Sequence, residues 1–415
     1  MLETLYKLIS STPASRLKPT IDRLLGHEEK AYVPGRFISE CTRNTYDLFS
    51  YAKENNLPGI ILLCDFEKAF DSISFKFILA TLDIFGFGED FKTWITIILG
   101  MEEGKQFNAV TIINGNISTP FEIQRGCRQG DPISGYLFIL TIEILALLLK
   151  NSKILAYKTK NGVEHLFDIY ADDLTIYLQR HPYKEKNNLK NISHALEMIE
   201  LFFVWSGLKI NRGKTYLSIF GKRISCPGYV STLRIKWCTE FKLLGINFDQ
   251  TLEQMDENYE GCFEKVKNEL GSWRHRFLTV FGKIMVIKTM CLPKFTHIAT
   301  VIPSLSIKRI NEIEREFDIF INNNNPSITD KTTRYMAINE GGLGMLKINA
   351  FRRAIRLSWL RRLPFSKSTW AALQRTETKP FTFNPVTSNM EHLEKARNKT
   401  KKQSMEGHLR CLTYL

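Results

Sequence analysis

The sequence predicts an α+β fold, and three patterns lead to that prediction. The apolar run from Ile60 to Cys64 is short and ends at an aspartate, as a buried strand does when it delivers a polar side chain to a cleft. Apolar and aromatic residues flank Ala171-Asp172-Asp173 from residue 166 to residue 178, which predicts an antiparallel hairpin. Beyond about Asp249 the apolar residues recur at helical spacing. We therefore expect a strand-containing part followed by a helical part.

The other elements of the first half follow from local patterns. Residues 1 to about 58 predict a helix, a basic linker and a second helix, with the turn-like Val-Pro-Gly-Arg at 33 to 36 between them. A helix is expected from about Ser74 to Phe85. Residues 107 to 124 alternate polar and apolar around Asn114-Gly115, a pair typical of a two-residue hairpin turn. An apolar helix follows from about residue 134 to residue 149.

The second half is divided by a change of pattern near residue 250. Apolar positions from 189 to 206 predict a helix that Gly207 ends, and strand-like pieces follow at 214 to 220 and 233 to 247. Helices come after them. We expect three regions: a mixed unit at 1–247, a helical region at 248–322, and a basic helical region with a tail at 323–415.

The composition favours a globular protein with an anionic partner. Lysine and arginine outnumber the acidic residues by 57 to 43, so the chain carries a net charge of +14, which suits nucleic acid or an anionic membrane surface. The longest apolar stretch, residues 135–149, contains Glu143 and is shorter than the roughly 20 residues that a bilayer span requires, so no membrane partner is expected. The N-terminus does not resemble a signal peptide, which predicts a cytoplasmic or nuclear location.

Three aspartates, Asp65, Asp172 and Asp173, are the candidates for chemistry. Phosphoryl transfer depends on cations that bridge phosphate oxygens and on carboxylates that hold those cations. Two like charges about 4 Å apart repel by roughly 4 kcal/mol at an effective dielectric of about 20, so an acidic pair at the end of apolar strands is costly unless a divalent cation relieves it. Taken alone, Asp172-Asp173 also fits an ordinary acidic turn facing water.

The motifs around these aspartates occur in the order of a known family. Two of them resemble the first palm motif and the Y-x-D-D signature of reverse transcriptases from non-LTR (LINE-type) retrotransposons: Leu63-Cys64-Asp65-Phe66-Glu67-Lys68-Ala69-Phe70-Asp71 and Tyr170-Ala171-Asp172-Asp173. Between them, Arg125-Gly126-Cys127-Arg128-Gln129-Gly130-Asp131-Pro132-Ile133-Ser134 is similar to the family's G-x-x-Q-G-x-P-x-S segment. Three ordered motifs are more specific than any one of them.

Weaker matches extend the resemblance over most of residues 5 to 362. Residues 207 to 215 resemble the motif that places a lysine near the triphosphate, and residues 241 to 246 resemble the primer-grip hairpin. Pro34-Gly35-Arg36 matches the fingers segment. The family implies a right-hand polymerase fold, with fingers and palm at 1–247, a thumb-like region at 248–322, an antiparallel palm sheet and a helical C-terminal region.

The resemblance also implies a metal site and a nucleotide pocket. Asp65 and Asp172 would bind two Mg²⁺ ions, with Mn²⁺ as an alternative, while Asp173 and the backbone carbonyl of Phe66 would contribute as further ligands. Phe70 would exclude a 2′-hydroxyl and so select deoxynucleotides, although a core phenylalanine is the alternative. Four other residues would contact the substrates: Gln129 and Gly130 the nucleotide, Lys214 the leaving pyrophosphate, and Arg36 the triphosphate or template.

The expected activity is RNA-directed DNA synthesis, in which the chain extends a DNA primer along an RNA template with dNTPs. Two departures from the family pattern bear on it. The chain looks truncated at its N-terminus, and Glu29 stands where the family commonly has glutamine, which would put an acid near phosphate and weaken binding. The alternatives are a catalytically inactive remnant that binds nucleic acid, and a maturase-like reverse transcriptase.

Overall fold

The computed structural model describes residues 4–102, 105–106, 108–302, 305–323 and 330–377. The helices are α1 (Thr4–Leu17), α2 (Ile21–Leu24), α3 (Ile38–Asn55), α4 (Ala69–Ser72), α5 (Phe75–Ile84), α6 (Glu89–Leu99), α7 (Ser134–Lys150), α8 (Glu185–Ser206), α9 (Val230–Leu233), α10 (Glu257–Arg274), α11 (Val280–Val286), α12 (Leu292–Val301), α13 (Ile307–Asn322), α14 (Lys331–Tyr335), α15 (Ile348–Arg362) and α16 (Thr369–Glu377). A π-helical turn at Ile287–Cys291 joins α11 to α12.

The strands fall mainly in the first two thirds of the chain. They are β1 (Gly59–Cys64), β2 (Met101–Glu102), β3 (Lys105–Gln106), β4 (Asn108–Ala109), β5 (Ile112–Ile113), β6 (Asn116–Ile117), β7 (Phe121–Glu122), β8 (Tyr157–Lys158), β9 (Glu164–His165), β10 (Phe167–Tyr170), β11 (Asp173–Gln179), β12 (Tyr216–Phe220), β13 (Lys236–Trp237), β14 (Glu240–Leu243) and β15 (Ile246–Asp249). The predicted α+β class is confirmed.

A five-stranded sheet, ordered β10-β11-β1-β12-β13, carries the candidate site. All its neighbouring strands run antiparallel except β12 and β13, which form a short parallel pair. β1 is the middle strand and every one of its residues is buried, which is why its sequence is a continuous apolar run. Ile60, Leu62 and Cys64 alternate onto one face and join the core to which α7 and α8 also contribute.

Both predicted hairpins are confirmed, and backbone geometry explains their turns. Asn114 and Gly115 both have positive φ angles, 50° and 82°, as a two-residue turn between β5 and β6 requires, although each strand is only two residues long. The second hairpin pairs β10 with β11 and turns at Ala171 and Asp172. Ala171 has a φ of 54°, an unusual value for a residue with a side chain.

The chain divides into two compact units. The first comprises the residues up to Cys41 together with Tyr51–Thr239, and the second comprises Thr42–Ser50 and the described residues from Glu240 onward. The contacts therefore divide the chain between Thr239 and Glu240, a few residues before the expected boundary at 247. The assignment of residues 1–247, 248–322 and 323–415 to separate regions stays a prediction, and residues 378–415 lie outside the described part.

The second unit is helical apart from the hairpin of β14 and β15. In that hairpin, Phe241 and Phe248 stack with ring centroids 5.7 Å apart, and both contact Phe49 of α3 edge to face. Within the described residues one helical stretch, Val280–Val301, has the length and mean hydropathy of a membrane span. Half of it is buried in the protein, and core helices commonly meet the same two criteria.

Candidate active site

Strand register gathers the three aspartates at one end of the sheet. Cys64 of β1 lies opposite Leu174 of β11, so the next residues along, Asp65 and Asp173, continue the same antiparallel register. Asp173 in turn pairs with Tyr170 of β10, and Asp172 lies in the turn between them. Directly opposed residues of antiparallel strands have β-carbons about 4.5–5.5 Å apart. The pairing alone therefore brings residues more than 100 positions apart into one cluster.

The carboxylates of this cluster influence one another. Reduced hydration raises the pKa of Asp173 to about 6, and the negative charges of Asp172 and Asp65 add to the effect. The pKa of Asp172 is also raised, first by reduced hydration and then by the charge of Asp65, against a lowering contribution from a backbone hydrogen bond. The shifts of Asp172 and Asp173 reflect repulsion between negative charges, which a divalent cation would relieve.

The oxygen atoms of these aspartates and of the Phe66 carbonyl are suitable ligands for Mg²⁺, but they are not arranged as a complete coordination shell. Carboxylate and carbonyl oxygens are the ligands that this cation prefers. Among the residues that the structure describes, no three His, Cys, Asp or Glu side chains come together closely enough to form a metal-holding group. Mutual repulsion favours rotamers that keep the carboxylates apart when no cation lies between them. The assignment of Asp65, Phe66, Asp172 and Asp173 as ligands thus stays a prediction.

Backbone pairing orients Phe66 toward the same cluster. Phe66 forms an antiparallel bridge with Ile210, in which the amide of Asn211 donates to the carbonyl of Asp65 and the amide of Glu67 donates to the carbonyl of Lys209. In such a bridge the amide and carbonyl of Phe66 itself point away from Ile210. They therefore point to the side on which β11 lies, as a metal-binding carbonyl would require.

Phe70 lies between a buried ring and an exposed one. Its ring stacks on Phe138 with centroids 4.1 Å apart, and the edge of Tyr32 approaches it with centroids 6.3 Å apart. Phe138 is fully buried, whereas Phe70 is half-buried and Tyr32 is 52% exposed. Phe70 is therefore anchored in the core, as the alternative interpretation expected, and is also partly exposed to solvent.

The Gln129-Gly130 turn is brought near Phe70 by backbone pairing. The amide of Cys127 donates to the carbonyl of Phe70, and the amide of Gly126 donates to the carbonyl of Ile73. Gln129 and Gly130 follow in an exposed turn ahead of α7. Gly130 has a φ of 82° and open space where a β-carbon would stand, so the turn itself requires glycine while its surface remains accessible.

The two basic candidates differ in their contacts with the rest of the protein. Lys214 is exposed on a tight turn that Asn211 ties to Asp65, close in sequence to the start of β12. Arg36, in contrast, binds Asp22 at 2.7 Å and donates to the carbonyls of Glu29 at 2.6 Å and Leu25 at 3.3 Å, as well as to that of Gly26. These contacts organise its own loop, and the role of Arg36 in phosphate binding stays a prediction.

Two residues at this site have surroundings that the sequence did not predict. Glu29 was expected to face phosphate, but its side chain is buried, with the residue 1% exposed, and binds backbone amides. The loop turns the carboxyl group inward, so it is not exposed to a phosphate, and the expected weakening of binding stays a prediction. Tyr32 was not singled out at all. Its negatively charged neighbours include Asp172, which contributes to raising the pKa of the Tyr32 phenol after reduced hydration.

Comparison with known proteins shows relatives that carry mobile-element names. The chain is 25% identical over 380 residues to the Transposon TX1 uncharacterized 149 kDa protein of Xenopus laevis, covering 90% of this chain and 28% of that protein. It is 26% identical over 215 residues to the Retrovirus-related Pol polyprotein from type-1 retrotransposable element R2 of Popillia japonica, covering 51% and 28%. The chain thus spans less than a third of these relatives' lengths.

Solved structures of telomerase are also similar. The enzyme from Candida tropicalis, in complex with a TWJ fragment of telomeric RNA, has a TM-score of 0.43 at 11% identity and covers 89% of this chain and 57% of that one. The Candida albicans complex has a TM-score of 0.38 at 12% identity and covers 91% and 57%.

The family match is the finding that identifies the chain. Residues 1–248 match the family described as Reverse transcriptase (RNA-dependent DNA polymerase). The matched region contains the sheet, the three aspartates, Phe70, the Gln129-Gly130 turn and Lys214. It spans more than half of the 415 residues. The protein is a member of the reverse transcriptase family.

Proposed function

We propose that this chain is the polymerase part of a non-LTR retrotransposon reverse transcriptase, which extends a DNA primer along an RNA template with dNTPs. The observation that carries the proposal is the β1–β11 register, which brings Asp65 beside Asp172 and Asp173 within the family match. The retrotransposon names of the relatives support the origin. The right-hand polymerase fold of the family makes the five-stranded sheet the palm.

Each residue of the cluster has a proposed role in holding metal. Asp65 and Asp172 would bind both Mg²⁺ ions, Asp173 would bind more weakly, and the carbonyl of Phe66 would complete the set. These residues would hold Mg²⁺, or Mn²⁺ in its place, which would supply charge to acidify the primer's 3′-hydroxyl and to neutralise the phosphates. The protein contributes by holding these oxygens on strands that pair with one another, so that little reorganisation is needed.

The nucleotide pocket would lie beside this cluster. Phe70 would meet the sugar edge, because Phe138 supports its ring from the buried side while its other side faces the cleft with Tyr32. A ring supported in this way cannot retreat from a 2′-hydroxyl. Gln129 would hydrogen-bond the nucleotide, and the backbone of Gly130 would approach it closely.

Charge would complete the substrate site. Lys214 would stabilise or protonate the leaving pyrophosphate, and its turn is tied to Asp65 through the amide of Asn211. Arg36 would contact the triphosphate or template only through guanidinium N–H groups that its own loop does not already bind. The net charge of +14 supports binding of the RNA template and DNA primer. A cytoplasmic or nuclear location without a membrane partner completes the proposal.

Primer extension tests the proposal. Purified protein is given a DNA primer annealed to RNA, dNTPs and Mg²⁺, beside Asp172→Asn, which removes a charge at nearly constant size. The matched control is Asp83→Asn on α5, where the carboxylate is exposed and pairs with Lys92. We expect extension by the wild type and the control, and a loss of at least about a hundredfold in Asp172→Asn.

Two outcomes would contradict the proposal. Equal extension by Asp172→Asn and the wild type would remove the cluster from catalysis. Tight template binding without extension by the wild type would favour the alternative, an inactive remnant that binds nucleic acid.

A further inference from the structure

Glu29 connects two separate parts of the first unit through a single oxygen atom. Its Oε1 accepts a hydrogen bond from the amide of Ala31 at 2.6 Å and another from the amide of Ala171 at 3.3 Å. Ala171 precedes Asp172 directly, 142 residues along the chain from Glu29. The side chain is buried, so water does not compete for these amides.

The backbone around Glu29 is fixed to the same hairpin. The amide of Lys30 donates to the carbonyl of Ile169, and the amide of Ile169 donates to the carbonyl of Glu28, each at 3.0 Å. This parallel bridge aligns the loop with β10 just before the turn. From the other side, Arg36 donates to the carbonyl of Glu29 at 2.6 Å. Glu29 is therefore held at both its backbone and its carboxyl group.

The turn that Glu29 contacts has a conformation that needs support. Ala171 has a φ of 54°, which residues other than glycine, asparagine and aspartate rarely adopt, so a neighbouring structure must hold it there. Its amide is directed to Glu29 rather than to a strand partner. Loss of the acceptor would leave a buried amide unpaired and would favour relaxation of the turn.

We propose that Glu29 is a positioning residue that holds the Tyr170-Ala171-Asp172-Asp173 turn in the conformation needed for metal binding by Asp172. This inference rests on the proposed function for its catalytic consequence. The structural part does not depend on activity, because it concerns the amide of Ala171 itself. The loop that contains Pro34-Gly35-Arg36 would therefore stabilise the conformation of the turn at residues 170–173.

A neutral side chain with one acceptor suffices for this role. Burial raises the pKa of Glu29 to about 8, against the lowering effect of its backbone hydrogen bonds. Its Oε2 has no hydrogen-bond partner among the described residues. A protonated glutamate and a glutamine both present one carbonyl oxygen and one donor group in the same shape. Glutamine should therefore substitute for Glu29, whereas methionine is similar in length but has no carbonyl oxygen, and its thioether is only a weak acceptor for the two amides.

The experiment compares Glu29→Gln and Glu29→Met with the wild type by amide hydrogen exchange of the segment 167–174. Glu28→Met is the matched control, because the Glu28 side chain lies one residue away and binds Lys150 at 2.7 Å instead of the turn. We expect the amide of Ala171 to exchange about tenfold faster or more in Glu29→Met, and to remain protected in the other two variants. Global unfolding should change far less than this local exchange.

A second readout follows primer extension and Mn²⁺ binding by the same variants. Glu29→Met should lower kcat and weaken Mn²⁺ binding while the KM for dNTP stays close to that of the wild type, and Glu29→Gln should restore both. Unchanged exchange at Ala171 in Glu29→Met, or equal losses in Glu29→Gln and Glu29→Met, would overturn the inference. If the wild type itself fails to extend a primer, the proposed function fails, and hydrogen exchange with Mn²⁺ binding still decides the role of Glu29.

Discussion

The ring of Tyr32 occupies the space that a side chain at Gly135 would need. A β-carbon at Gly135 would lie 2.6 Å from Cδ1 and 2.7 Å from Cε1 of Tyr32. Gly135 is the second residue of α7, so its glycine is explained by this close approach and not by backbone conformation. The same ring meets Phe70 edge to face. The first turn of α7 thus determines where an exposed aromatic ring lies beside the proposed nucleotide pocket.

Gly135→Ala is expected to displace Tyr32 and to impair nucleotide binding. Because a contact of 2.6 Å is far too short for two carbon atoms, the Tyr32 ring must move away from α7 or the helix must shift. We expect the KM for dNTP to rise by about tenfold, with a smaller change in kcat. Steady-state primer extension measures both. Gly261→Ala on α10, where nothing lies within 4 Å of the added carbon, is the control. An unchanged KM would show that Tyr32 does not shape the pocket.

Phe70→Val is expected to relax the selection of deoxynucleotides. Removing the ring opens space next to Phe138, so a 2′-hydroxyl would no longer collide, and ribonucleotide incorporation should rise by about tenfold or more relative to dNTP. Phe77→Val is the control for lost packing, since Phe77 on α5 meets Phe202 edge to face. Competitive extension assays give the ratio. Equal discrimination by both variants would assign Phe70 to the core alone.

Magnesium should stabilise the protein more at pH 7.5 than at pH 5.5. The folded pKa of Asp173 is about 6, above its ordinary value of 3.8. Between these values the folded chain keeps a proton that the unfolded chain has released, so the stability of the metal-free protein falls as pH rises. Above that range the carboxylate is charged and ready to bind a cation, and a bound ion stabilises the folded state.

Thermal unfolding with and without MgCl₂ checks this expectation. We expect a rise in Tm of a few degrees at pH 7.5, a smaller rise at pH 5.5, and almost none in Asp172→Asn. The control is Asp83→Asn, which should respond as the wild type does. A magnesium effect that is equal at the two pH values, or that survives in Asp172→Asn, would count against this metal site.

Glu29→Gln is expected to reduce the loss of stability at alkaline pH. The folded pKa of Glu29 is about 8, against an ordinary value of 4.5, so the folded chain binds more protons between these values and its stability falls as pH rises through them. Above pH 8 the free energy of unfolding has lost the whole contribution of this pKa shift, which is on the order of a few kcal/mol. Glutamine has no proton to release, and that part of the pH dependence should disappear.

Denaturant unfolding at pH 6 and pH 9 measures the difference. Glu143 contributes in the same direction, because burial raises its pKa to about 7, so Glu143→Gln must be measured beside Glu29→Gln. The charge of Glu29 also contributes to raising the pKa values of three neighbours, Tyr32, Tyr170 and Cys41. An unchanged difference between pH 6 and pH 9 in Glu29→Gln would contradict the burial of a titrating carboxyl group at this position.

The sequence by itself determined the elements and the family of this protein. The apolar run of β1, the Asn114-Gly115 turn and the helix that Gly207 ends are local features, because strand periodicity, turn geometry and helix capping depend on residues close together in the chain. The ordered motifs led to the reverse transcriptase family, which the match over residues 1–248 confirms. The three aspartates were identified as candidates because acidic residues at the ends of apolar strands repel one another unless a cation lies between them.

Only the tertiary structure decided what surrounds those aspartates. Glu29 and Ala171 are 142 residues apart in the chain, and Tyr32 and Gly135 are about a hundred apart. No local sequence pattern could therefore predict either contact. The sequence did not predict that the Arg36 side chain would donate to backbone carbonyls of its own loop, or that the Glu29 carboxyl group would accept from backbone amides. A side chain's partners depend on which distant segments pack beside it, and that depends on the free energy of the whole core rather than on its neighbours in sequence.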